Sequence, residues 1–210
     1  MGKTTYTTLT MTRPEGRAEN QHYVPKMLLR SFAADSGAKE PQVHVFDKRN
    51  ARTFPTAISN IAAERSFYDL KDDEGSVSLE PALTELEGHT NAAFEKIRAT
   101  GRLESLTGTD GAWVATFVAA QRIRVRAFRE AMRQLHLDMK TQVERLGFDP
   151  EKTQRGIETE EDAKIATVAT LFQNVAQVAP LVIQMDWLLF TTTPDVPFLD
   201  LGQSSHDAQL

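Results

Sequence analysis

Apolar and polar residues alternate in the first third of the chain, as short β-strands require. Over residues 42–47, two valines face one way while a histidine and a phenylalanine face the other, which predicts a strand. Residues 52–58 form its candidate hairpin partner, with the turn at residues 48–50. Residues 66–70 predict a third short strand, and the apolar run Trp-Leu-Leu-Phe within residues 186–193 predicts a buried one. Together these segments predict a small sheet.

Longer segments repeat apolar residues every three or four positions, which predicts amphipathic helices. A short helix follows Pro25, which suits a first helical position. The first long helix covers residues 79–99 and the second covers residues 110–145. The third follows the capping-box-like residues 159–162, and Pro180 interrupts its pattern. The chain is therefore predicted to be α+β and predominantly helical, with long helices packed on a small, mainly antiparallel sheet.

Length and composition bound the class of protein. The 210 residues suggest one domain, and 40% apolar with 25% charged residues is ordinary for a globular protein. Cysteine is absent, which excludes disulfides, zinc–thiolate sites and thiol nucleophiles and suits a reducing, cytoplasmic location. The formal charge of −5 disfavours a general nucleic-acid coat. No apolar run reaches the roughly 18–20 residues of a membrane span, so no membrane partner is expected.

Four arginines of the second predicted helix share one stripe, because at 100° per residue they fall within about 60° of one another. They are Arg122, Arg126, Arg129 and Arg133. Two interpretations are open. The stripe is either a solvated face paired with acidic neighbours or a phosphate-binding surface for a nucleotide or nucleic acid.

Arg124 lies on the opposite, apolar side of the same predicted helix, with Gln121 close by. A buried guanidinium needs a partner. One interpretation is an internal salt bridge, to Glu87 or to an acid on the sheet. The other is an anion clamp in a pocket, formed by Arg124 and Gln121, because guanidinium binds carboxylate or phosphate through two hydrogen bonds.

His22 is the histidine with the most suggestive position, because it stands beside Gln21 and just before a predicted helix start. Such a position favours a neutral imidazole, which suits a general base or a metal ligand. A capping or packing role is the alternative. Glu80 and Glu87 lie seven residues apart on one flank of the first long helix, where they are either a solvated edge or members of a site. The sequence contains no phosphate-binding loop, dinucleotide glycine motif, GxSxG or HExxH.

The order of these features resembles a bacterial family, the domain-of-unknown-function family four-two-three-eight (DUF4238). Residues 21–32, QHYVPKMLLRSF, are similar to its opening pattern (N/Q)HYVPxxxLRxF. Residues 60–64 and 67–68 resemble its "N-hydrophobic-A-x-E…FY" stretch, and Gln121 and Arg124 its "Q-x-x-R" helix pair. The resemblance implies no activity, because the family is functionally uncharacterised.

The resemblance covers residues 20–199 and fails at the end. Members continue with F-(I/L)-T-S-D-N-P-V, whereas residues 197–205 read PFLDLGQSS. One legal spelling of the last six is GAC CTC GGA CAA TCC AGT, which without its first G encodes Thr-Ser-Asp-Asn-Pro-Val. We therefore expect a one-base insertion near Asp200, a C-terminally truncated single domain, and an out-of-frame tail at residues 200–210 that lacks the family's aspartate. The threonine-rich residues 1–19 predict a disordered lead.

Two functions from different classes remain open. The first is a hydrolase acting on a phosphoester, with His22 and Glu87 as catalytic groups and with Gln21, Gln121 and Arg124 binding the anion. The second is a non-catalytic binding or regulatory module in which these residues form a structural polar network. The cofactor is unknown: a divalent metal would suit the hydrolase, but no ligand motif supports one. A nucleotide or nucleic acid is the partner that the hydrolase implies, and exposed apolar surface on a truncated domain predicts association.

Overall fold

The computed structural model describes residues 20–34, 37, 39–72, 75–149 and 160–192, and it confirms a predominantly helical α+β fold. The strands are β1 (Gln21–His22), β2 (Gln42–Asp47), β3 (Arg52–Ala57), β4 (Ala63–Glu64), β5 (Asp69–Asp72) and β6 (Gly75–Ser78). The helices are α1 (Lys26–Ser31), α2 (Glu80–Thr100), α3 (Gly108–Gln121), α4 (Arg126–Arg145) and α5 (Glu160–Gln184). Short 3-10 turns occupy Ile58–Asn60 and Leu103–Ser105.

Within the described residues, the strands form three separate antiparallel pairs rather than one sheet. The predicted hairpin is confirmed, because β2 pairs with β3 across a tight turn. The strand predicted at residues 66–70 begins later, at Asp69, and pairs with β6. The two-residue strands β1 and β4 pair with each other, so that Gln21 lies opposite Glu64. That pairing brings the opening segment against the body of the protein.

The main core lies where α2, α3 and α5 meet. On α2 the residues Leu83, Leu86, Thr90 and Ala93 are buried, at the spacing of three or four that turns one face of a helix inward. Leu171 and Val175 of α5 enter the same core. Pro180 lies inside α5 without ending it, and the helix continues to Gln184, contrary to the predicted interruption.

The second predicted helix is two helices. α3 ends at Gln121 and α4 begins at Arg126, with a turn between them. Val125 is extended, with φ −93° and ψ 146°, so the path of the chain changes direction there. Ile123 and Arg124 of the turn are buried. Tertiary contacts made by this turn therefore override the helical pattern that the sequence shows.

The buried strand predicted at residues 186–193 is wrong for the residues that the structure describes. Positions 186–192 form no strand, and Leu188 and Phe190 are 76% and 71% exposed. Trp187 alone packs against the core, and its indole N–H donates to the Val182 carbonyl at 2.8 Å. A strand needs a neighbour to satisfy its backbone groups, and none of the described strands pairs with this segment.

α5 is long and apolar enough, by length and composition alone, for Asp162–Gln184 to cross a membrane. The helix is apolar on average rather than an uninterrupted apolar run, because it contains Lys164, Gln173 and Asn174. The same helix packs on α3 and α4 and supplies Val168, Leu171 and Val175 to the core. One face of the helix therefore packs in the core, while 28% of its apolar window is buried.

Three expectations fall outside the described residues: the disordered lead at residues 1–19, the out-of-frame tail at residues 200–210, and the missing aspartate near Asp200.

Candidate polar site around Arg124 and the neighbouring cleft

Gln21 uses its whole side-chain amide to fix the opening segment. Its Oε1 accepts from the Tyr68 backbone N–H at 2.5 Å, and its Nε2 donates to Asp69 Oδ1 at 2.6 Å. The same Asp69 oxygen accepts from the Ser78 hydroxyl at 2.6 Å. Gln21 is 1% exposed, so these bonds replace water that the amide has lost. This predicted anion-binding residue therefore connects β1 to β5 and β6.

His22 is buried and oriented by backbone. Its Nε2 lies 3.1 Å from the Ile58 carbonyl, which can only accept, so Nε2 carries the proton. Burial lowers the pKa of His22, and the hydrogen bond to Ile58 opposes that effect. The imidazole is therefore neutral at pH 7. His22 is buried, and 6% of the residue is exposed to solvent.

Arg124 is the centre of the polar network. Its Nε donates to the Tyr68 hydroxyl at 3.0 Å, and its Nη2 donates both to the His22 carbonyl at 3.2 Å and to Glu87 Oε1 at 2.7 Å. The guanidinium also lies 5.4 Å from the centre of the Tyr68 ring, within range of a cation–π contact. Only 1% of Arg124 is exposed. The internal salt bridge to Glu87 that the sequence offered as one alternative is therefore present.

Gln121 and Arg124 bind neighbouring residues of the opening segment. Its Nε2 donates to the Tyr23 carbonyl at 2.8 Å, while Arg124 takes the carbonyl of His22. The two side chains predicted to clamp an anion thus hold successive carbonyls of the opening segment. These two hydrogen bonds connect the QHYVP segment to Gln121 and Arg124, which lie about a hundred residues later in the chain.

Within the described part of the chain, Glu80 is one of three members of this region with an unsatisfied buried atom, beside Gln121 Oε1 and Arg124 Nη1. Its Oε2 is buried and has no hydrogen-bond partner within the described part of the chain. Burial raises the pKa of Glu80 to about 7, and Glu87 and Asp69 add to the rise while Arg124 opposes it. Glu80 is therefore about half protonated at neutral pH. Among the described residues, no group of three or more metal-binding side chains is gathered here or elsewhere.

The arginine stripe predicted on one continuous helix does not exist, because the helix is broken at Arg124. Arg129 is 3% exposed and faces inward, where its guanidinium lies 3.7 Å from the centre of the Phe67 ring. It donates to Glu64 Oε1 and to the Phe67 carbonyl, both at 3.1 Å. Arg129 thus anchors α4 to β4, as a structural ion pair.

The other three arginines of the proposed stripe lie apart from the polar network. Arg122 follows the last residue of α3 and is exposed, and Arg126 opens α4 and is also exposed. Arg133 donates to Glu130 at 2.7 Å on the surface of α4. The four arginines therefore do not form one stripe on a continuous helix, and Arg129 is buried. Phosphate binding by Arg122, Arg126 and Arg133 stays a prediction.

Glu87 joins the polar network to an open cleft between α1 and α2, hereafter the α1–α2 cleft. The cleft has a volume of about 680 Å³. It is lined by Met27, Arg30, Ser31, Ala33, Glu87, Gly88, Asn91, Glu95 and Arg98. Glu87 is 24% exposed, and the cleft ends where Arg98 Nη2 donates to the Ser31 hydroxyl at 3.0 Å. It is a polar surface with access to solvent.

The sequence reasoning missed Tyr68 and Asp69 as members of the site, and it treated Glu80 only as a helix-flank carboxylate. Tyr68 was visible only as part of a family-like Phe-Tyr pair. Burial raises its pKa, against the opposing charge of Arg124. The available signal was the tyrosine itself, since a buried tyrosine hydroxyl needs a polar partner.

Comparison with known proteins gives a family without an assigned role. A family model described as "Protein of unknown function (DUF4238)" matches residues 20–199. No curated protein and no solved structure matches the chain.

Proposed function

The chain belongs to the DUF4238 family, and because that membership assigns no activity, we propose that it is a non-catalytic binding module with a structural polar core. The observation that carries this proposal is the 2.7 Å ion pair between the fully buried Arg124 and Glu87. The Nε and Nη2 of Arg124 donate to protein acceptors, and its Nη1 is buried without a partner among the described residues. An anion bound through two nitrogens of the guanidinium would have to displace at least one of those acceptors, so Arg124 supports the core rather than clamping a ligand. A cytoplasmic location, which the lack of cysteine suits, belongs to the same proposal.

His22 supports the same conclusion. A general base must lie within hydrogen-bond reach of the proton that it removes. The Nε2 of His22 carries its own proton toward Ile58, and the ring is buried. Its backbone carbonyl, which accepts from Arg124, is the part of the residue that the network uses. We assign His22 the role of fixing the opening segment.

The binding surface in this proposal is the α1–α2 cleft. Glu87 supplies one wall, and its carboxylate is oriented from behind by Arg124. Orientation by a buried partner reduces the entropy that a side chain loses when a ligand binds. Arg124 thus prepares the cleft through Glu87 without lining the cleft itself.

The test is the free energy of unfolding, measured in urea, for His22→Ala and Arg124→Ala. We expect a loss of about 3–5 kcal/mol for Arg124→Ala, which strands the Glu87 carboxylate and the Tyr68 hydroxyl, and about 2 kcal/mol for His22→Ala. Arg102→Ala is the matched control, because Arg102 is 73% exposed and lies 3.6 Å from Glu104; it should stay within about 0.5 kcal/mol. Near-native stability of both core variants would favour a functional site instead.

A phosphoester hydrolase is the second candidate, and the observation that favours it is Glu80. A carboxyl group whose pKa is about 7 has the value expected of a general acid or base. Thermal shifts with nucleotides and divalent cations, together with hydrolysis of bis-p-nitrophenyl phosphate, separate the two candidates. The binding module predicts neither a shift nor turnover, whereas cation-dependent turnover lost in Glu80→Gln would establish the hydrolase.

A further inference from the structure

We infer that the α1–α2 cleft binds a small zwitterion, a molecule with an ammonium group at one end and a carboxylate at the other, of the length of a short peptide. The inference rests on the proposed function and names its ligand class. It follows from three features of the cleft. Glu87 and Arg98 place opposite charges in it, its lining residues carry no net formal charge, and Gly88 leaves part of its surface without a side chain.

The two fixed charges lie on one face of α2. Glu87 and Arg98 are eleven residues apart, which is close to three helical turns and about 16 Å along the axis. Arg124 holds Glu87 Oε1 at 2.7 Å. Glu95 holds Arg98 Nη1 at 2.6 Å, and Ser31 accepts from Nη2 at 3.0 Å. Each charge is therefore held in place before a ligand arrives.

Both groups keep capacity for a ligand. Among the described contacts, Glu87 uses only one of its two carboxylate oxygens. Arg98 uses one N–H on each terminal nitrogen, and its side chain is 43% exposed. A guanidinium has five N–H donors and a carboxylate about four acceptor positions, so an ammonium can join Glu87 and a carboxylate can join Arg98.

The sum of charge decides between ligand classes. The lining contains Arg30 and Arg98 against Glu87 and Glu95, so its formal charge is zero. A phosphate bound at Arg98 would lie beside Glu95, which already pairs with that guanidinium, and a simple cation would use Glu87 alone. A zwitterion satisfies both ends. Asn91 lies between them and can both donate to and accept from a peptide bond.

Gly88 keeps the floor of the cleft open. It lies inside α2 beside Glu87 and lines the cleft, and a Cβ built on it would meet nothing within 4 Å. Glycine within a helix costs roughly 0.5–1 kcal/mol relative to alanine. A side chain at this position would strengthen the helix and occupy the cleft. The volume of about 680 Å³ lies in the range of small-ligand sites.

The experiment is a calorimetric titration of the full-length protein with alanine oligomers of one to five residues. An extended peptide covers about 3.3 Å per residue, so affinity should rise toward about four or five residues, the length that spans the two charges. N-acetylated and C-amidated versions of the same peptides should bind at least about tenfold more weakly, because each loses one charged end. Equal affinity of free and blocked peptides, or no binding by any of them, overturns the inference.

A pair of glycine substitutions locates the site. Gly88→Leu should abolish peptide binding while its free energy of unfolding stays at or above that of the parent. Gly111→Leu is the matched control, because Gly111 is also helical and also faces open space, but lies on α3 away from the cleft; it should bind as the parent does. Undiminished binding by Gly88→Leu overturns the inference. The proposed function fails separately, through near-native stability of Arg124→Ala.

Discussion

At the scale of single residues, the polar core combines paired charges with buried polar atoms that have no partner among the described residues, of which Glu80 Oε2 and Arg124 Nη1 are two. The sequence predicted that Arg124 is at least partly buried and needs a partner, with a salt bridge to Glu87 or to an acid on the sheet as one of two interpretations. Tyr68 and Asp69 could not be predicted in the same way. Their partners His22, Arg124 and Gln21 lie 46 to 56 residues away in the chain, and no local pattern encodes such contacts. The exact set of hydrogen bonds is a tertiary property.

Glu80 gives the first prediction at this scale. Burial raises its pKa from 4.5 to about 7. Between pH 4.5 and pH 7, Glu80 therefore keeps its proton in the folded protein and loses it in the unfolded chain. The corresponding stability is present below pH 4.5 and is lost as the pH rises through 7. It amounts to about 3 kcal/mol.

We therefore expect the parent to lose stability between about pH 5 and pH 8, as measured by its free energy of unfolding in urea. The loss in Glu80→Gln should be smaller by about 2–3 kcal/mol. Glu85→Gln is the matched control, because Glu85 lies exposed on the same helix; it should keep the pH dependence of the parent. The same dependence in Glu80→Gln would show that Glu80 is ionised throughout.

At the scale of elements, the spacing of apolar residues predicted the helices but did not predict where a helix is interrupted. The turn at residues 122–125 is hidden in the sequence because it contains neither glycine nor proline. Pro180 predicted an interruption that does not occur, since α5 continues past it. The apolar segment at residues 186–192 resembles a strand, but pairing depends on a neighbour, which periodicity cannot supply.

The start of α3 provides a prediction for an element. Thr107 and Asp110 form a reciprocal capping box, and Asp110 also accepts from Lys96 of α2 at 2.7 Å. Thr107→Ala should lower the unfolding free energy by about 1 kcal/mol, because the backbone N–H of Asp110 loses its acceptor. Thr109→Ala, at the second residue of α3, should change it by less than about 0.5 kcal/mol. Equal losses in the two variants, measured in urea, would contradict the capping role.

At the scale of the whole molecule, three strand pairs are arranged around a helical core, and apolar residues remain on the surface. Met185, Leu188 and Phe190 are 62%, 76% and 71% exposed and follow one another at the end of α5. Continuous apolar surface of this kind promotes association. The sequence predicted association for this chain, although it placed these residues in a buried strand.

The prediction for the molecule is a mass by light scattering that rises with protein concentration. Leu188→Ser combined with Phe190→Ser should restore the monomer mass, because the change removes the apolar run. Leu146→Ser with Phe148→Ser, an exposed pair after α4, is the control and should leave the association in place. A parent protein that stays monomeric at high concentration contradicts the prediction.

The central claim is that Arg124 and Glu87 form a structural pair at the heart of the polar core, and a double-mutant cycle tests it most directly. The unfolding free energies of Arg124→Met, Glu87→Gln and the double variant are measured in urea beside the parent. We predict that the double variant is more stable than the sum of the single losses implies, by about 1–3 kcal/mol, since each single change leaves a buried group without its partner. A coupling energy below about 0.3 kcal/mol would contradict the account.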